Sequence, residues 1–221
     1  STLDLGILPF LQDWFAMDKE IEKKVAVFGV PDFWYTAGIT PVPEYFFFAG
    51  SRDIKAFKGK PLLASYTAFW KEMDKVLAAN KKSSDDPTIR LRAHLRRHMG
   101  FVANNLGVLL EDLEEDADAF AVYTYVHGKL DPDNISALFN LFEMAKRGVA
   151  VASASKESIE RELKDFIGNL KQKYPLWSLS RYYGYVRSPE LFAKLGWGWA
   201  LSGQTGAALA GMTRAINLLP T

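Results

Sequence analysis

Residues 104–134 read NNLGVLLEDLEEDADAFAVYTYVHGKLDPDN. The stretch holds no nucleophile beside a base, no metal-ligand cluster and no phosphate-binding loop. Its small and large residues nevertheless fall at regular intervals, and the pattern returns near the other end of the chain. Setting Leu106-Gly107 over Leu195-Gly196 aligns Leu110 with Trp199, Ala119 with Ala208, Tyr123 with Met212 and Val126 with Ala215. Ala103 and Phe192 stand three residues before the two pairs. Each copy closes on a proline, Pro132 or Pro220, the first after one extra residue.

Such spacing serves the packing of two antiparallel helices. Small residues (Gly107, Ala119; Gly196, Ala208) let the helix axes approach, and large ones (Leu106, Tyr123; Leu195, Trp199) fill the space beside them. A proline ends the second helix of each pair, because it has no amide donor and clashes with the preceding turn.

Helical periodicity extends outward from these copies. Leu11, Phe15, Ile21 and Val25 predict a first helix over Pro9–Val25. Leu62, Tyr66, Phe69, Met73 and Leu77 predict another over Pro61–Ala79, with Pro61 in its first turn. After the polar loop Asn80–Pro87, helices are expected over Thr88–Leu113 and Asp116–Gly128, broken near Glu114–Glu115. Others are expected over Ile135–Gly148, Lys156–Lys173, Trp177–Val186, Phe192–Ser202 and Gly206–Leu218. Ser188, Pro189 and Glu190 form an N-terminal signal. Between the first two helices, GVPDFWYTAGITPVPEYFFFAG is punctuated by Pro and Gly and reads as irregular, its Phe33, Trp34, Tyr45, Phe46 and Phe47 capping a helical core or forming a contact patch. Alternation is weak and hairpin dipeptides are absent. The expected class is all-α, with residues 1–85 an aromatic-rich N-terminal region and 86–221 a repeat region.

The two copies resemble the tetratricopeptide repeat. Its unit has a large residue, Leu-Gly, an aromatic, a small residue, Ala, an aromatic, Ala and a closing Pro. The last copy reads Phe192, Leu195, Gly196, Trp199, Gly203, Ala208, Met212, Ala215, Pro220; the first has Glu114 where a glycine is usual between the helices. Asp133 onward supplies a degraded middle unit, with Phe139, Leu141 and Ala145 on its first helix and Ile159, Leu163, Phe166 and Leu170 on its second. The resemblance covers residues 90–221. It implies a short α-solenoid of stacked helical hairpins whose first helices line a concave groove that holds an extended peptide or a partner helix. By register the lining is Phe101, Asn104, Val108 and Glu111, then Phe139, Glu143 and Lys146, then Ala193, Trp197 and Ala200. Some members bind a C-terminal carboxylate through an asparagine here, but Val108 and Trp197 stand at that position. A mixed apolar and acidic groove implies an apolar or basic segment instead.

Composition narrows the function classes. The chain has 221 residues, 48% of them hydrophobic, which is enough for a sizeable core. Its formal net charge is +1, so no global field draws it to nucleic acid or an anionic membrane. It has no cysteine, which removes disulfides and thiolate chemistry. It opens on Ser-Thr, as expected of a processed chain or a piece of a longer one. Neither apolar window, 30–50 or 192–219, is uninterrupted enough for a membrane span.

His94 and His98 lie four apart on one helical face and are a candidate metal pair, but without the carboxylate of a HExxH motif. Arg90, Arg92, Arg96 and Arg97 are a candidate phosphate-contacting run. The acidic run 111–118 follows at once, and charge pairing within or between repeats is the simpler reading. Carboxylate pairs such as Asp112/Asp116 and Glu157/Glu160 fall on polar faces. The expectation is a non-enzymatic adaptor that holds another protein or peptide, with no cofactor, no small-molecule substrate and no nucleic acid. The alternative is a structural subunit of a larger assembly attached only indirectly to a membrane.

Overall fold

Helices dominate the chain in the order the apolar spacing predicts, but a small sheet precedes them. The computed structural model describes residues 13–15, 17–31, 34, 37, 39–78, 87–149, 155–169 and 176–218. Pro9, Phe33, Leu170, Tyr174, Pro175 and Pro220, the loop 80–86 and the small-residue stretch 150–154 lie outside these residues. The elements are α1 (Ile21–Lys24), β1 (Val27–Phe28), β2 (Thr40–Glu44), β3 (Phe47–Ser51), α2 (Gly59–Ala78), α3 (Pro87–Asp112), α4 (Asp116–Tyr125), α5 (Ile135–Lys146), α6 (Lys156–Asn169), α7 (Leu176–Tyr183), α8 (Pro189–Leu201) and α9 (Thr205–Asn217). A 3₁₀ turn spans Ile54–Ala56, and a π turn, Val126–Leu130, extends α4.

The sheet corrects the all-α expectation. It is antiparallel in the order β1-β3-β2, with Thr40 opposite Ser51 and Glu44 opposite Phe47. Two features hid it. Pro41 and Pro43 break the usual strand signature, yet β2 is an edge strand, where a residue without an amide donor is tolerated. The connecting turn is Tyr45-Phe46 rather than a glycine or asparagine pair. Tyr45 takes φ 58°, and its backbone amide donates to the Tyr66 hydroxyl at 2.8 Å. A tertiary bond thus holds a turn that local sequence disfavours. The expected first helix is also interrupted. The Asp18 side chain accepts from the Glu20 amide at 2.9 Å and from Lys24 Nζ, turning the chain before α1.

The sheet packs on α3. Trp34 is buried and donates through Nε1 to the Phe48 carbonyl at 2.9 Å, and Phe48 meets Phe101 edge-on. His98 is sandwiched among Phe28, Phe46 and Phe101 and bonds the Phe46 carbonyl through Nε2 at 2.8 Å. A carbonyl only accepts, so Nε2 carries the proton. Burial lowers the affinity of this ring for a second one.

Helix α3 is the axis of the molecule, about 39 Å long at 1.5 Å per residue. Every residue from His98 to Glu111 is buried, as expected of a helix with neighbours on all sides. Around it α4, α5 and α6 pack in succession, α7 touches α3 and α5, and α8 pairs with α9. One connected core takes in residues on both sides of the expected boundary at 85/86, from Phe15 to Ala215.

The two repeat copies share their packing details. A Cβ on Gly107 falls 2.7 Å from Tyr123 Cζ, and one on Gly196 falls 2.9 Å from Met212 Cγ and 3.2 Å from the Ala208 carbonyl. In register, each glycine therefore receives the same partner position. The inter-helix turns match too: Gly203 takes φ 77° and its counterpart Glu114 takes φ 62°. The left-handed conformation costs an L side chain roughly 1–2 kcal/mol, which is why a glycine suits this position.

Two stability measurements follow from this packing. In urea denaturation, Gly203→Ala is expected to lose about 1 kcal/mol, whereas Glu114→Gly loses nothing. Equal losses from both variants would contradict the shared turn geometry. Separately, Asp131 is buried with its Cβ beside the Cα of Gly100. Burial raises its carboxyl from 3.8 to about 6, against the pull of Arg97 and with a further push from Asp133. The folded state then holds this proton more tightly than the unfolded state, so the stabilisation is complete below pH 3.8 and is lost as pH rises through about 6. Asp131→Asn is expected to remove this pH dependence and to raise stability at pH 7.5 by on the order of 1–3 kcal/mol. A variant with the same pH–stability slope as the parent between pH 4 and 7 would exclude Asp131 as its source.

Candidate functional site

The α3 residues expected to line a groove are covered by the chain itself. After Tyr183 the backbone leaves α7 through Gly184, at φ 90°, and runs without regular structure to Ser188, whose amide donates to the Val186 carbonyl at 2.9 Å. This segment carries Tyr185 and Val186, both buried, and the half-buried Arg187. It makes no helix or sheet bond, and three asparagines replace them. Asn104 Nδ2 donates to the Tyr185 carbonyl at 2.8 Å and Asn140 Nδ2 to the same oxygen at 3.0 Å. The Tyr185 amide donates to Asn105 Oδ1 at 3.2 Å, and the Arg187 amide to Asn140 Oδ1 at 2.8 Å. Asn140 Nδ2 also reaches Asn104 Oδ1 at 3.1 Å, tying α3 to α5. Gly184 has no room for a side chain: a Cβ there falls 2.6 Å from Asn104 Nδ2 and 3.0 Å from the Phe101 carbonyl.

Charge continues the same lock. Glu111 lies on α3 with its side chain 1% exposed. It accepts the Tyr123 hydroxyl at 2.7 Å, pairs with Arg147 beyond α5 and lies 3.4 Å from Arg187. Burial pushes the Glu111 carboxyl above its ordinary range, while Tyr123 and the two guanidiniums pull it back. Asp112 bonds Arg187 Nε at 3.1 Å and Arg214 of α9 at 2.6 Å. The acidic run thus pairs with arginines distant in sequence. Within the basic run, Arg96 instead meets Asp74 of α2 at 3.4 Å.

These facts place the ten expected lining residues. Phe101, Asn104, Val108 and Glu111 are buried and do not line an open groove: the sheet lies on Phe101 and beside Val108, and Tyr185–Arg187 lies on Asn104 and Glu111. Sequence register places them on one face of α3, and from His98 to Glu111 that helix is buried on every side. On α5, Phe139 is half-buried, and Glu143 pairs with Lys146 at 2.9 Å on the surface. On α8, Ala193 is half-buried, Ala200 is exposed and Trp197 is 64% exposed. Asn105, Asn140, Arg147, Arg187 and Arg214 did not stand out in the sequence. Asn140 carried a signal: an asparagine inside the apolar run ISALFNLFEMA needs a buried partner.

An open cleft of about 790 Å³ separates the sheet side from the last hairpin, with Ile39, Ile54, Leu209, Asp112 and Arg214 among its walls. Its Asp112 and Arg214 are already paired with each other. His98 spends its Nε2 on the Phe46 carbonyl while His94 is exposed, and among the described residues no group of three or more His, Asp or Glu side chains is placed to hold a metal. No described helix is long and apolar enough to cross a membrane.

The clamp is testable by unfolding. Asn140→Ala leaves the Tyr185 carbonyl and the Arg187 amide each short of a bond in a dry site, at an expected cost of about 2–3 kcal/mol. Gly184→Ala is expected to cost at least about 2 kcal/mol, from the left-handed backbone and the closeness of Asn104. Urea midpoints within experimental error of the parent would show that the segment is not held as described.

No protein-family model matches the chain, and no curated protein or solved structure matches it.

Proposed function

We propose that the chain is a non-catalytic protein-binding scaffold: a short α-solenoid of tetratricopeptide-like hairpins that contacts its partner through the α8–α9 hairpin. The observation that carries this reading is an asymmetry between the two copies. On α3–α4 the face bearing Asn104, Val108, Glu111 and Phe120 is buried. On α8–α9 the corresponding residues are Ala193, Trp197, Ala200 and Leu209, and Trp197 and Leu209 are 64% and 70% exposed. An exposed aromatic flanked by apolar side chains is the composition of a protein contact rather than of a solvated helix.

A second reading has its own observation. In the N-terminal region Trp14, Met17, Phe28, Tyr45 and Phe47 are also exposed. That favours a structural subunit docking by this end into a larger assembly, with the hairpins as spacers.

Affinity capture with chemical crosslinking separates the two. The parent chain, Trp197→Ala and Phe28→Ser with Phe47→Ser are immobilised and compared, with far-ultraviolet circular dichroism confirming an unchanged helical signal. The scaffold reading expects Trp197→Ala to lose at least about tenfold of the captured partner, some 1.4 kcal/mol, while the N-terminal variant retains it. The reverse pattern establishes the subunit reading, and capture unaffected by either change defeats both.

A further inference from the structure

We infer that the partner of the α8–α9 face is a second copy of this chain, forming a two-fold dimer through Trp197, Leu201, Leu209 and Ile216. The inference rests on the scaffold reading for its surface and adds the occupant.

The exposed apolar side chains share one side of the hairpin. Gly196 of α8 packs against Ala208 and Met212 of α9, which fixes the inner side of each helix. On α8, Trp197 and Leu201 are four residues apart and lie on one stripe away from that contact. On α9, Leu209 and Ile216 are seven apart and do the same. For antiparallel helices these two stripes fall on the same side of the plane through both axes. In register this is the side on which α3–α4 buries Val108 and Phe120. Leu201 is 85% exposed, and Leu209 and Ile216 are 70% and 67% exposed.

Charge selects the occupant. From Leu195 to Thr213 there is no charged residue; the exposed Lys194 borders the patch on α8, and Arg214 of α9 is paired with Asp112. A two-fold contact sets each patch against itself, so any charge in it meets its own sign, whereas a neutral patch is self-complementary. Charge depletion around a tryptophan is also the composition of homodimer cores. The four side chains leave on the order of 500 Å² of apolar surface in water, a patch of functional size. The surrounding Ala200, Gly198 and Thr205 are exposed as well and let a second hairpin approach closely. They extend the patch toward the roughly 800 Å² per chain that a standard stable interface buries. Gly198 has nothing within 4 Å of a built Cβ, so packing within this chain does not require its small size.

The test is the mass of the purified chain in solution by light scattering and sedimentation equilibrium, from about 1 to 200 µM. The parent is expected at the mass of two chains over the upper part of this range. Trp197→Glu with Leu201→Glu on α8, and separately Ile216→Glu on α9, are expected at one chain, with association weakened at least about tenfold and an unchanged helical signal. Lys164→Glu, on the exposed side of α6, is expected to remain dimeric. A parent that is monomeric throughout overturns the inference, and so does a dimer that the α8 and α9 variants leave intact. A monomeric parent that still captures a different polypeptide through Trp197 overturns the dimer alone and leaves the scaffold reading standing. A dimer that captures nothing else has the opposite consequence.

Discussion

A peptide segment buried outside any helix or sheet must find hydrogen bonds elsewhere, and Tyr185–Arg187 finds them on three asparagines. Each unmade bond in such a site costs about 1–3 kcal/mol. The debt is mutual. Asn104, Asn105 and Asn140 are buried among apolar residues, and none could be there without the backbone groups they bond. Because Asn140 belongs to α5 and the other two to α3, the segment joins two helices from different hairpins. It also sets where α7 ends and α8 begins. The arginine that follows carries the joint to Glu111 and Asp112, and through Asp112 to Arg214 of the last helix. The charges there lie where solvent is scarce, so each loss leaves a partner uncompensated.

Much of the architecture was legible because it is local. Gly107 and Gly196 mark close approaches, and each meets the residue sixteen positions on, Tyr123 or Met212. The odd residue in the pattern, Glu114, sits in the left-handed conformation that Gly203 takes in the other copy. The helix limits from α3 to α9 fall within a few residues of those expected, since capping residues and apolar periodicity act over one or two turns. The sheet was not legible. Its turn residue Tyr45 is held by Tyr66 from another element, and β2 carries prolines that only an edge strand tolerates. The filled groove was hidden for a similar reason. Register shows which face Asn104 and Glu111 occupy, but not that residues some eighty positions later lie upon it.

The two hairpins share the close packing at Gly107 and Gly196 and the left-handed turn at Glu114 and Gly203, and their corresponding side chains differ in exposure. On α3–α4 the face is polar at Asn104 and Glu111, and it receives the non-helical segment bearing Tyr185, Val186 and Arg187. On α8–α9 the same positions hold the half-buried Ala193 and the exposed Ala200, with the exposed Trp197 between them. The polar version suits backbone and a guanidinium; the apolar version suits another apolar surface. The difference lies in a few side chains on a shared scaffold, as expected where fold and contact specificity are set by different residues.

The central claim is that Tyr185–Arg187 is a structural ligand of the groove rather than a surface linker. Native-state amide hydrogen exchange, read residue by residue, tests it most directly. Surface linkers exchange close to the unprotected rate. The amides of Tyr185 and Arg187, bonded to Asn105 and Asn140, are expected to be protected as strongly as those of the α3 core. Exchange of both at the unprotected rate, while the Leu106–Leu110 amides stay protected, would contradict the account.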